Sequence, residues 1–266
     1  MAPRLRRKRS AAPGPDGMTL VQHLGELRRR LIVSLAATAV GAVLAFALYE
    51  PILGVLLRPY CNAIPKGRSC ALLATSLLDG LNLRFKVSLY AGFAFASPVV
   101  FWQVWRFVTP GLKGSEKRYA VPFIASSVVL FGSGATVAYL VLHRALRFLQ
   151  AVGGPHLRFF YTAPNYLSFV LAMMAAFGVA FELPLILVAL QLVGVVTPSQ
   201  LSAWRRWAIV AIFAGVALFI PSGDPVSLFA MAVPMTLLYE AAILTGRLVL
   251  RSRRQRAVRA TGTSGG

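Results

Sequence analysis

Residues 207–243, WAIVAIFAGVALFIPSGDPVSLFAMAVPMTLLYEAAI, decide the fold, because they form a long, mostly apolar region that Pro221-Ser222-Gly223-Asp224-Pro225 interrupts. A helix does not readily cross two prolines, a glycine and an aspartate set so close together. The stretch is therefore either a short hairpin or two spans, one of them brief. Trp207 to Ile220 would rise only about 21 Å as a helix, against a hydrocarbon layer of about 30 Å.

The rest of the chain sets the context for that choice. Of its 266 residues 57% are hydrophobic and 14% charged, and the apolar residues gather into runs rather than alternations or stripes. Runs of about 20 apolar residues match a bilayer, where only helices or closed barrels satisfy their backbone groups, and these runs are too continuous for barrel strands. Four further spans read out as Leu31 to Tyr49, Phe85 to Val108, Tyr119 to Leu142 and Asn165 to Val193. Lys86 and Arg106 lie near the ends of the second and can snorkel. The fourth, about 42 Å if straight, requires tilt or a kink, and Pro184 supplies a cause for one.

Charge settles whether the number is even. Eight Lys and Arg fall in residues 1 to 30, four between 106 and 118, two at 205 and 206, and six after Thr245, twenty of the 28 in the chain. The positive-inside rule places all four segments in the cytoplasm if the chain crosses six times. The reading is an all-α polytopic membrane protein with six transmembrane helices, both termini cytoplasmic and short fifth and sixth helices. A disordered basic tail is expected over 1–19, the membrane domain over 20–247 and a second disordered basic tail over 248–266. The basic N-terminus resembles the first part of a secretory leader, but the apolar run begins only at Leu31 and is of full-span length. The net charge of +20 sits at span ends, with no soluble basic face for nucleic acid.

Chemistry-bearing residues are few. There is no HExxH, phosphate-binding loop or nucleophile elbow, and His23, His143 and His156 are scattered, so neither a metal nor a cofactor is expected. The Met173-Met174 pair reads as packing. Cys61 and Cys70 flank a loop with turn-forming Pro65 and Gly67 on the expected outer side. A disulfide there, adding about 2 to 3 kcal/mol by loop closure, is expected against the alternative of two thiols.

Among eight carboxylates, three stand out. Glu26, in His23-Leu24-Gly25-Glu26-Leu27-Arg28-Arg29-Arg30, either pairs with a helical neighbour at Arg29 or Arg30 or takes a cationic guest. Glu116, in Gly114-Ser115-Glu116-Lys117-Arg118, either caps the third span or serves a site. Glu182, in Phe181-Glu182-Leu183-Pro184, lies inside an apolar run, where a charge costs about 2.5 to 3.5 kcal/mol, and so faces a cavity or partner or bonds between helices. Asp224 reads as a turn or N-cap residue.

The segment His23 to Leu31 resembles the N-terminal signature His-Leu-x-Glu-Leu-Arg-x-Arg of the TatC family, the receptor subunit of the twin-arginine protein translocase. Further matches follow in order: Pro59 in the first outer loop, Ser97-Pro98, Gln103-Val104-Trp105-x-Phe107, Pro110 to Arg118 with Glu116, Tyr166-Leu167-Ser168-Phe169, Ala176 to Pro184, then Pro221, Asp224 and Val233-Pro234-Met235. The resemblance covers about residues 20 to 247. It implies a glove-shaped six-helix bundle in the cytoplasmic membrane. The function it implies is binding twin-arginine signal peptides, and exporting folded proteins with the single-span subunits TatA and TatB, at the expense of the proton motive force and without catalysis.

Carried onto this chain, Glu26 and Glu116, with Arg28 and Phe107 nearby, would hold the two signal arginines. Paired carboxylates suit planar guanidinium forks that lysine cannot copy. Glu182 would be the polar point of the intramembrane concavity. Pro59, Pro98, Asp224 and Ser227 would be structural or docking positions, and the receptor would self-assemble. The chain departs from a common pattern at Leu228, where several relatives carry Gln; Ser227 beside it could stand in. A transporter or channel built around Glu182 is the main rival, but no second Glu-x-Pro appears in the first three spans to suggest an inverted repeat.

Overall fold

A computed structural model describes residues 20–63, 72–108, 120–154, 162–219 and 224–262. Its described part holds nine helices: α1 Leu20–Ala47, α2 Tyr49–Ala63, α3 Asp79–Val108, α4 Ala120–Val152, α5 Ala163–Ala180, α6 Leu183–Val193, α7 Pro198–Ala203, α8 Arg205–Phe219 and α9 Pro225–Gly262. The only β contact among the described residues is a single bridge between Leu73 and Thr162 that leads into α5.

Five stretches are long and apolar enough to cross a bilayer: Leu24–Ala47, Asp79–Phe107, Val121–Val152, Ala163–Val193 and Pro225–Arg251. They correspond to the first four expected spans and the last. Their outward faces are aliphatic, with Val43 72% and Val129 68% exposed. Apolar surface on that scale is the mark of a protein whose solvent is lipid. The helix α8, at 15 residues, rises about 22 Å and falls short of the other five.

Several expectations are revised. The segment read as the first outer loop contains α2, so Pro59 is buried inside a helix rather than in a loop. Arg84 and Lys86 lie within α3, which starts six residues before the expected Phe85. The α4 helix runs to Val152, ten residues beyond Leu142, and α9 continues to Gly262, through the residue-248 boundary at which a disordered tail was expected. Hydropathy marks where the apolar layer ends, whereas backbone hydrogen bonds continue until a breaker, and none occurs between Arg247 and Gly262. No disulfide is seen among the described residues. Cys61 is half-buried at the end of α2, and Cys70 lies outside the described residues, as do the expected tail 1–19, Glu116 and Pro221.

Pro184 has the expected effect. It sits in the first turn of α6, and the fourth span divides at Phe181–Glu182 into α5 and α6. A proline there cannot donate to the carbonyl four residues back, and its ring crowds that carbonyl. At the far end α6 stops on Gly194 in the left-handed conformation, φ +84°, the usual helix stop. Thr197 and Gln200 then form a reciprocal capping box that starts α7.

Small residues set the helix spacing. Helices α1 and α3 cross at Gly41 and Gly92, so closely that a Cβ on Gly41 would lie 2.5 Å from the Gly92 carbonyl oxygen. Helices α4 and α5 meet the same way: a Cβ on Gly134 would lie 2.5 Å from the Phe177 carbonyl oxygen, and one on Gly178 would lie 2.7 Å from the Phe131 ring. Where lipid removes the hydrophobic drive between helices, close packing of this kind holds them together. The core joins Leu142, Leu146, Tyr166, Val170 and Phe177, and the Tyr166 hydroxyl donates to the Leu56 carbonyl oxygen at 2.9 Å, tying α5 to α2.

Candidate functional site

The antiparallel register of α1 and α3 brings the start of one helix to the end of the other. Arg30, eleven residues before Gly41, meets Gln103, eleven residues after Gly92. Its guanidinium donates from Nη1 to the Gln103 carbonyl oxygen at 3.4 Å and from Nη2 to Oε1 of Glu26, one turn earlier on α1. Of the two reading alternatives for Glu26, the helical ion pair is therefore formed.

The pair lines a cavity of about 210 Å³ together with Arg29, Val33, Gln103 and Arg106. Side-chain exposure is 12% for Arg30 and 25% for Glu26. The second carboxylate oxygen of Glu26, Oε2, is shielded and has no hydrogen-bond partner among the described residues. Such an oxygen is an open acceptor for a cation or N–H donor. Arg28 is exposed and absent from the lining, while Phe107 is half-buried near the end of α3. Glu116 lies outside the described residues.

Glu182 occupies the α5–α6 break and is only 8% exposed. Its carboxyl is within hydrogen-bonding reach of the Ser127 hydroxyl on α4, which also accepts from Trp105 Nε1 on α3 at 2.7 Å. Phe123 packs on the Trp105 ring with centroids 4.7 Å apart. The Trp105–Ser127 bond thus ties α3 to α4 beside the carboxyl, whose Oε1 has no partner among the described residues. Beside it an apolar groove of about 580 Å³ runs between the broken span, α8 and α9, lined by Ala176, Leu183, Leu187, Ile212, Met231 and Met235 among others. Tyr239, which lines the groove, donates its hydroxyl to the Leu201 carbonyl oxygen at 2.8 Å, and the next residue, Glu240, pairs with Arg205 of α8.

At the start of α9 the Asp224 carboxylate accepts from the Ser227 backbone N–H at 2.8 Å, the N-cap role read from sequence. Ser227 is fully buried, and so presents no hydroxyl on the groove surface, and Leu228 packs against the core. Pro98 lies on the exposed face of α3.

Sequence reasoning passed over three polar residues that the structure makes central. Gln191 is 2% exposed and donates from Nε2 to the carbonyl oxygens of Leu187 and of Ala242 on α9, both at 3.2 Å. A Cβ on Gly246 would lie 1.9 Å from the Gln191 Oε1, so any side chain there would have to displace the buried amide. An amide inside an apolar run was a usable signal. Arg84 donates to the Phe46 carbonyl oxygen at 3.3 Å and lies 4.3 Å from the Phe46 ring centroid, clamping the α1–α2 junction. Ser127, paired with Trp105, carried no signal in the sequence.

A bundle with one nearly buried carboxyl at a broken span, and a second carboxylate in a cavity at the bundle end, defines a multi-pass helical membrane protein whose polar functions are concentrated at two points. Comparison with known proteins gives its family. Residues 22–234 match the family model described as Sec-independent protein translocase protein (TatC), and the chain belongs to that family. The TatC of Aquifex aeolicus is 39% identical over 241 residues, covering 90% of this chain and 98% of that protein. The TatC of Frankia casuarinae is 38% identical over 87% of this chain, which spans 66% of that longer relative. A crystal structure of the twin arginine translocase receptor TatC in DDM superposes with a TM-score of 0.72 at 39% identity, over 84% of this chain and 99% of that one. The chain is accordingly a component of a Sec-independent protein translocase.

Proposed function

We propose that this chain is the signal-peptide receptor of a twin-arginine translocase, passing folded proteins across the cytoplasmic membrane at the expense of the proton motive force. The observation that carries the reading is the Glu26 carboxylate, held in an end cavity with Oε2 shielded from solvent and lacking a partner among the described residues. Glu116, eight residues beyond the end of α3, is the second carboxylate, and Phe107 shapes the site from α3. Two guanidinium forks on two carboxylates make charge-assisted bonds whose planar geometry an ammonium cannot reproduce.

In this reading α8 is a sixth, short crossing, both termini are cytoplasmic, and the groove against α8 and α9 receives the single-span subunits TatA and TatB. Glu182 is the polar point that such a helix, or the signal peptide, meets within the membrane, and several copies of the chain assemble into the receptor.

A peptide carrying Ser-Arg-Arg is expected to bind the full chain in lipid nanodiscs at least about tenfold more tightly than its Lys-Lys counterpart. Glu26→Ala combined with Glu116→Ala is expected to remove the difference. Equal binding of both peptides to the wild type would sink the receptor reading.

A further inference from the structure

The Glu26 cavity is already occupied by an arginine of the chain itself. Among its described lining residues one carboxylate faces three guanidiniums, those of Arg29, Arg30 and Arg106, so the formal charge of the lining is positive before any guest arrives. One of the two Glu26 oxygens is held by Arg30. A guest guanidinium cannot take both oxygens as a fork while Arg30 keeps Oε1, and binding at Oε2 alone places a third guanidinium group near a cation that is 12% exposed and poorly screened.

Arg30 also has somewhere to go. Its Nη1 already points to the Gln103 carbonyl oxygen, 3.4 Å away on the last part of α3. Its Nε has no hydrogen-bond partner among the described residues, so the guanidinium can turn about that second anchor and give up Oε1 without being stranded in the cavity.

We infer that Arg30 is a resident competitor: its guanidinium occupies Glu26 in the empty receptor, and a signal arginine must displace it to form its own forked contact. The inference rests on the receptor reading above and adds the residue that sets the affinity of its site. Arg30 lowers that affinity by the free energy of the internal pair, which keeps the receptor from being saturated by any arginine-bearing segment and makes release of the signal peptide reversible. The contribution of Arg29, which lines the same cavity without bonding Glu26, is only that of a nearby charge.

The test uses the full chain in nanodiscs and a fluorescent Ser-Arg-Arg peptide. Arg30→Gln is expected to tighten binding about fivefold, the worth of a largely shielded ion pair near its upper range. Arg29→Gln is expected to change binding less than about twofold. In a Glu26→Gln background, Arg30→Gln is expected to add nothing, because there is no carboxylate left to compete for. Arg30→Lys keeps the charge but loses the planar group that reaches Glu26 and the Gln103 carbonyl oxygen at once, and is expected to fall between wild type and Arg30→Gln; it serves in place of the glutamine variant should that variant not accumulate.

Unchanged or weakened binding by Arg30→Gln, or by Arg30→Lys in its place, overturns the competitor role while leaving the receptor reading intact, provided the wild type still prefers arginine to lysine. Equal tightening by Arg29→Gln and Arg30→Gln overturns it as well, since net charge alone would then explain the effect. Loss of the arginine preference in the wild type itself removes the receptor reading and the competitor with it.

Discussion

Replacing Gly41 by alanine probes the close backbone contact between α1 and α3. The added Cβ would lie 2.5 Å from the Gly92 carbonyl oxygen and 3.2 Å from the Gly92 Cα and carbonyl carbon. All three are backbone atoms of α3, with no side-chain end that can swing aside. A comfortable carbon-to-oxygen contact is about 3.3 Å or more, so α1 and α3 must part by about 0.8 Å locally. Overpacking of this kind costs about 1 to 3 kcal/mol. For a chain of this size, each kcal/mol lowers the melting temperature by about 2 to 4 °C, which gives a loss of about 2 to 12 °C.

The assay is a thermal melt of the full chain in detergent, with Gly132→Ala as the control. A Cβ on Gly132 meets nothing within 4 Å, and alanine is the better helix former by about 1 kcal/mol, so the control should melt at or slightly above wild type. Coincident melting of Gly41→Ala and Gly132→Ala would refute the argument that bare backbone contact holds α1 to α3.

Two further outcomes follow from the buried polar groups. Ser127→Ala strands the Trp105 N–H in an apolar layer and should cost about 1 to 3 kcal/mol in the same melt, with a smaller cost in a Trp105→Phe background where the donor is gone; equal costs in both backgrounds would exclude the bond as the cause. Glu182→Ala and Glu182→Gln should each slow export of a twin-arginine cargo in membrane vesicles, the alanine by about tenfold. Full export by the alanine variant would reduce Glu182 to a structural role.

Legibility from sequence followed the length scale of the signal. Bilayer-length apolar runs gave four spans, and Pro184 gave the break, because a missing N–H acts on its own helix regardless of what surrounds it. The α2 helix was missed because Tyr49 to Ala63 mixes Glu50, Arg58 and Pro59 into a segment too polar for hydropathy and too short for a periodic pattern. Glu26 and Glu182 were visible as rare carboxylates. Their partners were not: Arg30 was one of two candidates at helical spacing, and Ser127 and Trp105 lie 55 and 77 residues before Glu182. Ser227, read as a structural or docking position, is buried in the first turn of α9, where its backbone N–H donates to Asp224.

The break at Phe181–Glu182 divides more than a helix. The α5 half is locked to α4 through Gly134, Gly178 and the Phe131 ring, whereas the α6 half is locked to α9 through Gln191, Ala242 and Gly246. The two halves of one membrane crossing are thus packed through different neighbours. The carboxyl of Glu182 therefore sits where a single crossing changes neighbours, from α4 on one side to α9 on the other.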